Sequence, residues 1–217
     1  MAEGKITTSL ADVVYEQVEH DILTGAYKRG DILTELKLSD RLHVSRTPVR
    51  EALRRLEQDD LVECQGKSIV VMGVTHQDLL DLLEIRLRLE GLATARCCQR
   101  ITSQVLIRLD EVITMQDFYV SRNLPDKIQE SDGLFHRAIY AACGSRMLEK
   151  QLTNIHKRLV RYRKLSVSNR TRALQSTEEH KEIFQALTNH DVALSEALAL
   201  RHVERARDNI LHAEAKQ

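Results

Sequence analysis

The segment QESDGLFHRAIYAAC, residues 129–143, places a carboxylate and an imidazole, Asp132 and His136, four residues apart. Four residues is about one helical turn, so both groups share a face with Phe135 and Ile139. Two further histidines sit among apolar neighbours at helical spacing: His180 with Ile183, Phe184 and Leu187, and His202 with Leu198, Ala199 and Ala206. Left unpaired, each such group costs roughly a few kcal/mol to bury. One divalent ion inside a helical bundle would satisfy three imidazoles and a carboxylate together. That donor set suits Zn first, with Ni, Mn or Fe as alternatives. A hydrogen-bonded core network is the plainer alternative. The other six histidines, His20, His43, His76, His156, His190 and His212, fall at turns, chain ends or mixed faces and are expected to be exposed or capping.

Such a site needs helices to carry it, and the composition supplies them. The 217 residues include only two prolines and eight glycines, and aromatics make up 4%. Leu, Ala, Arg, Glu and Ile dominate, which favours a largely helical chain. Lys plus Arg equals Asp plus Glu at 32 each, so bulk charge names no partner. The four cysteines show no CxxC spacing and read as reduced thiols. Nothing reads as a signal peptide, and no apolar run approaches the roughly 18 residues a membrane span needs. A cytoplasmic protein without membrane contact is expected.

The order of elements divides the chain near residue 74. A helix over 10–24 is capped by Ser9 and ended by Gly25, with Leu10, Val13, Val14, Val18 and Ile22 as its buried stripe. A short helix over 35–42 is anchored by Leu36, Leu38 and Leu42, and a helix over 46–59 has Pro48 in its first turn. Val62 and Ile69–Val71 flank QGKS as a small β-hairpin. From Thr75 on, the pattern is helical throughout: about six helices, including one over 145–165, then a polar loop SVSNRTRALQ and a capping box of Ser176 and Glu179. The expected fold class is mainly α. A winged helix-turn-helix over 1–74 precedes an antiparallel α-helical bundle over 75–217.

The first part is acidic overall, but six basic residues lie between Lys37 and Arg55 against Asp40 and Glu51. Arg46, Thr47 and Arg50 fall at the N-terminal end of the third helix, the end of a recognition helix that meets base edges. An arginine there can pair bidentately with guanine. A solvated helix face is the competing reading.

The stretch VSRTPVREALRRLEQDDLVE closely resembles the GntR superfamily of bacterial regulators, in particular its FadR subfamily, and the order from first helix to wing matches. The resemblance implies Arg46 and Arg50 as base readers and Thr47 as a supporting contact. Lys37 stands one position beside the family's usual basic residue. Asp60 and GKS stand where the family usually has glycines, and Lys67 is the wing's candidate DNA contact. The second part resembles the FCD ligand-binding domain. Its motif matches Asp132, His136, His180 and His202, with gaps of 4, 44 and 22 residues. EIRLRLE fits that domain's first helix. Arg86 is then a clamp for a ligand carboxylate, or simply a buried ion pair with Glu90, and Arg88 is a weaker candidate on a neighbouring face.

Together these features lead us to expect a homodimeric transcription regulator binding a short palindrome of double-stranded DNA. Its operator binding would be controlled by a small carboxylate-bearing metabolite held at the divalent metal. A direct metal sensor, a metal serving the fold alone and a metalloenzyme are the rivals. For the last, no general base is evident beside the site.

Overall fold

The computed structural model describes residues 9–66, 68–167 and 169–215. The chain divides between Asp78 and Leu79 into two compact units.

In the first unit, α1 (Leu10–Thr24) begins at a capping box formed by Ser9 and Asp12, and it ends at Gly25 with φ of 83°. That left-handed conformation costs glycine nothing. Val14, Val18 and Ile22 are buried, whereas Leu10 and Val13 are exposed, so the buried stripe is narrower than the apolar pattern suggests. Strand β1 (Ile32–Leu33), α2 (Glu35–Leu42) and α3 (Arg46–Gln58) follow, then β2 (Val62–Gln65) and β3 (Ser68–Val71). Leu36 is exposed and does not anchor α2. The expected hairpin is present but belongs to a three-stranded antiparallel sheet of order β1-β3-β2, with Ile32 opposite Val70 and Val62 opposite Val71. Two-residue β1 is too short to leave an alternating pattern. Asp60 adopts φ of 56° at the turn between α3 and β2, a left-handed position that favours glycine but tolerates Asp. Helices α1 and α3 pack together, and Val14 and Val18 of the one and Val49, Ala52 and Leu56 of the other are buried.

Helix α4 (His76–Cys98) opens with a reciprocal Thr75–Asp78 cap and runs into the second unit. There follow α5 (Ser103–Ser121), α6 (Pro125–Ala142), α7 (Arg146–Arg158), α8 (Val160–Val167), α9 (Arg170–Thr188) and α10 (Val192–Glu214). Among the described residues, α4–α10 make seven helices rather than six. The difference lies at 145–175. The expected single helix breaks at Leu159, and the expected polar loop is nearly all helix. Asn169, whose side chain accepts from the backbone of Thr171 and Arg172, is the cap of α9. Ser176 and Glu179 therefore lie inside α9 and cap nothing. The core of this unit gathers Leu109, Val112, Phe135, Ile139, Ile183 and Leu187 from α5, α6 and α9, with buried Cys97 and Cys98 from α4. The four cysteines are free, as expected. No helix among the described residues is long and apolar enough to cross a membrane.

Candidate metal centre and nucleic-acid interface

Helices α6, α9 and α10 bring Asp132, His136, His180 and His202 together. One ligand atom from each lies within 4.8 Å of all the others, and all four residues are buried. Asp132 and His136 face the same way because they are one turn apart on α6. Phe135 packs against the His180 ring, with centroids 4.0 Å apart and planes at 16°.

Each imidazole is tied on its outer side. His136 Nδ1 lies 2.6 Å from Glu90 Oε1, His180 Nδ1 2.8 Å from Gln116 Oε1, and His202 Nδ1 2.7 Å from Glu179 Oε2. A carboxylate or an amide oxygen only accepts, so Nδ1–H donates in all three rings and Nε2 carries a lone pair. These Nε2 atoms turn inward. His136 Nε2 is 3.3 Å from His202 Nε2, and His180 Nε2 is 3.6 Å from Asp132 Oδ1. His180 Nε2 is buried with no hydrogen-bond partner. Facing lone pairs and an orphaned acceptor are unfavourable unless a cation or a hydrogen-bond donor sits among them; Arg86 Nη2 serves His136 Nε2 at 3.3 Å, and among the described residues nothing serves His180 Nε2. The donor set of three nitrogens and an oxygen fits a first-row divalent ion.

The electrostatics point the same way. Burial lowers the pKa of His136, pushes that of His180 well down, and takes that of His202 to about 4, so the rings are neutral and able to ligate at pH 7. Burial would raise Glu90, but Arg86 and His136 hold its carboxyl well below the usual range. Glu179 is likewise desolvated, yet hydrogen bonds from His202 and Arg172 bring it to about 2.

Arg86 forms the buried ion pair with Glu90. Its Nε donates to Glu90 at 3.0 Å, and its Nη2 reaches His136 Nε2 at 3.3 Å. It also lines a cavity of about 20 Å³, room for a single water, together with Asp132, His136 and His202. Arg88 does not reach this cavity: it is exposed and pairs with Glu84 at 3.8 Å. His156, expected to be exposed or capping, is buried instead, with its ring centroid 5.3 Å from that of His136. It receives Arg163 Nη1, while Arg163 Nη2 meets Asp132. At Gly133 an added Cβ would meet His156 Nε2 at 3.4 Å, an ordinary contact, and the flexible end of Arg137 at 2.9 Å, so the approach of α7 does not depend on the missing side chain.

Sequence reasoning missed Arg163, Ser166, Arg172 and Ser176, which line the same cavity. It also missed Gln116, and it misread Glu179 as a cap. The signal was there for two of these. Arg172, Ser176 and His180 are spaced by four, one face of a helix, and were hidden only by reading 166–175 as a loop.

In the first unit Arg46, Thr47 and Arg50 are exposed in the first turns of α3, behind the N-cap Ser45. Arg50 is not free: its Nε and Nη2 each donate to the Glu35 carboxylate at 2.8 Å. Lys37 is exposed on α2, and Arg46, Arg50 and Leu36 line one open groove with Gly66. Lys67 lies outside the described residues.

The fold and both domains have counterparts among known proteins. Residues 10–71 match the family model described as bacterial regulatory proteins, gntR family, and residues 81–205 match the FCD domain. The uncharacterized HTH-type transcriptional regulator YcbG of Bacillus subtilis is 30% identical over 220 residues, covering 94% of this chain and 91% of its own. The gluconate operon transcriptional repressor of Bacillus subtilis is 25% identical over 180 residues, covering 83% of this chain and 72% of its own. Among solved structures, Escherichia coli McbR/YncC superposes with a TM-score of 0.80 at 23% identity, covering 96% of this chain and 98% of that one. These matches are to regulators and not to enzymes. The chain belongs to the GntR family of bacterial regulatory proteins: it is a DNA-binding transcriptional regulator with an FCD domain.

Proposed function

We propose that residues 75–217 bind a divalent metal through Asp132, His136, His180 and His202, Zn in the first instance, and that a small organic acid held beside it controls operator binding by residues 1–74. The observation that carries this reading is the orientation of the three imidazoles, each fixed through Nδ1 with its Nε2 turned toward the others and toward Asp132. A bound divalent ion supplies a Lewis-acidic anchor for a carboxylate or hydroxyl oxygen. The chain's own contribution is the neutral, pre-oriented donor set, the exclusion of water by Phe135 and Ile183, and a guanidinium, Arg86, directed at the same cavity. An acid that favours one state of the protein over the other shifts operator affinity by that difference.

In the DNA-binding unit, Arg46 and Arg50 are the base readers of a short palindromic operator in the cytoplasm, with Thr47, Lys37 and Lys67 as supporting contacts. A palindrome calls for a homodimer. Ile85 and Leu92, exposed two turns apart on α4, support an apolar contact between copies.

Elemental analysis and native mass spectrometry of gently purified protein test the metal, with operator gel shifts in the presence and absence of small acids. One ion per chain, lost on His180→Ala or His202→Ala, is expected. Protein that carries no ion and binds none of Zn, Ni or Mn when offered contradicts the reading and leaves the four residues as a hydrogen-bonded core.

A further inference from the structure

The chain's charge is balanced, with 32 Lys and Arg against 32 Asp and Glu, but it is not evenly spread. Residues 146–172 hold nine Lys and Arg against one acid, Glu149. The first unit, residues 1–78, is acidic, with ten Lys and Arg against 14 Asp and Glu. Of the nine cations, Arg163 and Arg172 turn inward onto Asp132 and Glu179. Five others, Arg146, Lys150, Lys157, Arg161 and Lys164, are exposed on α7 and α8.

These five share one face. Their spacings of four, seven, four and three residues place them within an arc of about 60° on a regular helix, along about 27 Å. Helical bonding carries that face past Leu159, whose N–H reaches Ile155 O at 3.0 Å and whose carbonyl accepts from Arg163 N at 2.9 Å. The opposite face is in the core through Leu152, Ile155 and Leu159. Glu149 falls on the flank of the row, and α8 contains no acid. Elsewhere in this unit exposed cations are interleaved with acids, as in Arg88–Glu84, Lys181–Glu178 and Arg201–Glu182. The row instead sets like charges four residues apart, at 146 and 150 and at 157 and 161, which weakens a helix. Lys164 meets Asp126 at 2.7 Å, an exposed pair of the weak kind that phosphate can displace.

Like charge kept at a cost to its own helix fits a polyanionic partner. With its apolar side in the core, this helix pair has no face to insert into a lipid surface. With no aromatic among the five, the row offers no platform for stacking unpaired bases. What it offers is phosphate contacts in steps of about 6 Å. Phosphate neutralisation dominates DNA affinity, and a DNA-binding unit of net negative charge supplies little of it. We propose that Arg146, Lys150, Lys157, Arg161 and Lys164 form a second DNA-binding surface, on the helical unit, which holds the phosphates of duplex DNA without regard to sequence.

The test uses the full chain and a labelled duplex of scrambled sequence, about 30 base pairs long, read by fluorescence anisotropy from about 50 to about 200 mM salt. The row variant is Arg146→Gln with Lys150→Gln and Arg161→Gln. All three side chains are exposed, so helicity and Tm should hold. Loss of three phosphate contacts should weaken binding about tenfold or more at the lower salt and reduce the salt slope by about 2–3. Arg146→Lys with Arg161→Lys should keep both. A control of equal charge change, Arg88→Gln with Lys181→Gln and Arg201→Gln, should leave both near wild type. An unchanged slope in the row variant, or an equal fall in the control, overturns the inference and returns the row to a solvated face. Single-stranded RNA of the same length held more tightly than duplex, with that preference lost in the row variant, overturns it as well and makes RNA the partner.

Discussion

His202 Nδ1 lies 2.7 Å from Glu179 Oε2, and Glu179 also receives both terminal nitrogens of Arg172, at 3.0 and 2.9 Å. One carboxylate thus fixes the tautomer of a candidate ligand and holds a cation at the cavity wall. Glu179→Gln keeps the shape but weakens the acceptor for His202 and leaves Arg172 without its counter-charge. Loss of such an outer partner lowers metal affinity by about 10–100-fold. Competition against a chromophoric chelator should read that drop with helicity unchanged; wild-type affinity in the variant would show that Glu179 serves only its arginine partners, Arg172 and Arg205.

The four candidate ligands were legible from the sequence because their helices are regular and each polar group interrupts an apolar stripe at helical spacing. The partners that orient them were not. Gln116, Glu90 and Glu179 reach their imidazoles across 64, 46 and 23 residues of sequence, a relationship fixed by packing alone. Arg163 and Arg172 were hidden because arginine and serine in SVSNRTRALQ read as polar loop, although Asn169 supplies a proper helix cap within that stretch. His156 misled for the converse reason. It stands between Ile155 and Lys157, and nothing local announces that α7 turns it onto Gly133 and His136.

Metal-free protein should lose stability on mild acidification. The folded His202 titrates at about 4 against an ordinary 6.5, lowered by burial. Below 6.5 the unfolded chain binds the proton and the folded chain resists it, so this contribution is fully present above that value and is lost as pH falls through the folded pKa. For His202 alone it amounts to about 3 kcal/mol. His136 and His180 are shifted the same way. Thermal unfolding of chelator-treated protein should therefore show a clear drop in Tm between about pH 7.5 and about pH 5, smaller in His202→Ala. A Tm that is flat over that range would mean that the rings are already charged or solvated in the folded state.

Helix α4 approaches α10 at Gly91. A Cβ there would lie 2.8 Å from Leu200 Cγ and 2.9 Å from its Cδ2. Alanine gains about 1 kcal/mol of helix propensity over glycine, but overpacking costs about 1–3 kcal/mol. The clash involves the branch point of Leu200 and not a free side-chain end, so the cost should win. Gly91→Ala is expected to lower the Tm, and Leu200→Ala in the same chain to recover part of the loss. Additive effects of the two changes would place the strain elsewhere.

Ile85 and Leu92 are 46% and 44% exposed on α4, at a spacing that puts them on one face. If copies of the chain meet there, Ile85→Glu with Leu92→Glu should turn a dimer into a monomer in sedimentation at micromolar concentration without changing helicity or metal content. A double variant that remains dimeric moves the contact to another face.

Arg50 is held by Glu35 through two bonds of 2.8 Å, with both side chains partly open to solvent. An exposed pair of this kind is worth about 1 kcal/mol or less, whereas a bidentate contact to guanine discriminates by about 1–3 kcal/mol. DNA should therefore outcompete Glu35 for the guanidinium, or share it, and the pair orients Arg50 without locking it. Arg46→Ala and Arg50→Ala should each weaken operator binding by about 1–3 kcal/mol and relax base preference at the contacted position. Lys67→Ala, if Lys67 meets phosphate, should weaken all sequences alike and flatten the salt dependence. Glu35→Gln releases Arg50 from its partner and should leave specificity intact while raising non-specific affinity, since one negative charge leaves the groove lined by Arg46 and Arg50. Gel-shift titrations on selected and scrambled sites at two salt concentrations read all four variants. Arginine variants that bind the selected site as wild type does would remove Arg46 and Arg50 from base reading and return them to a solvated helix face.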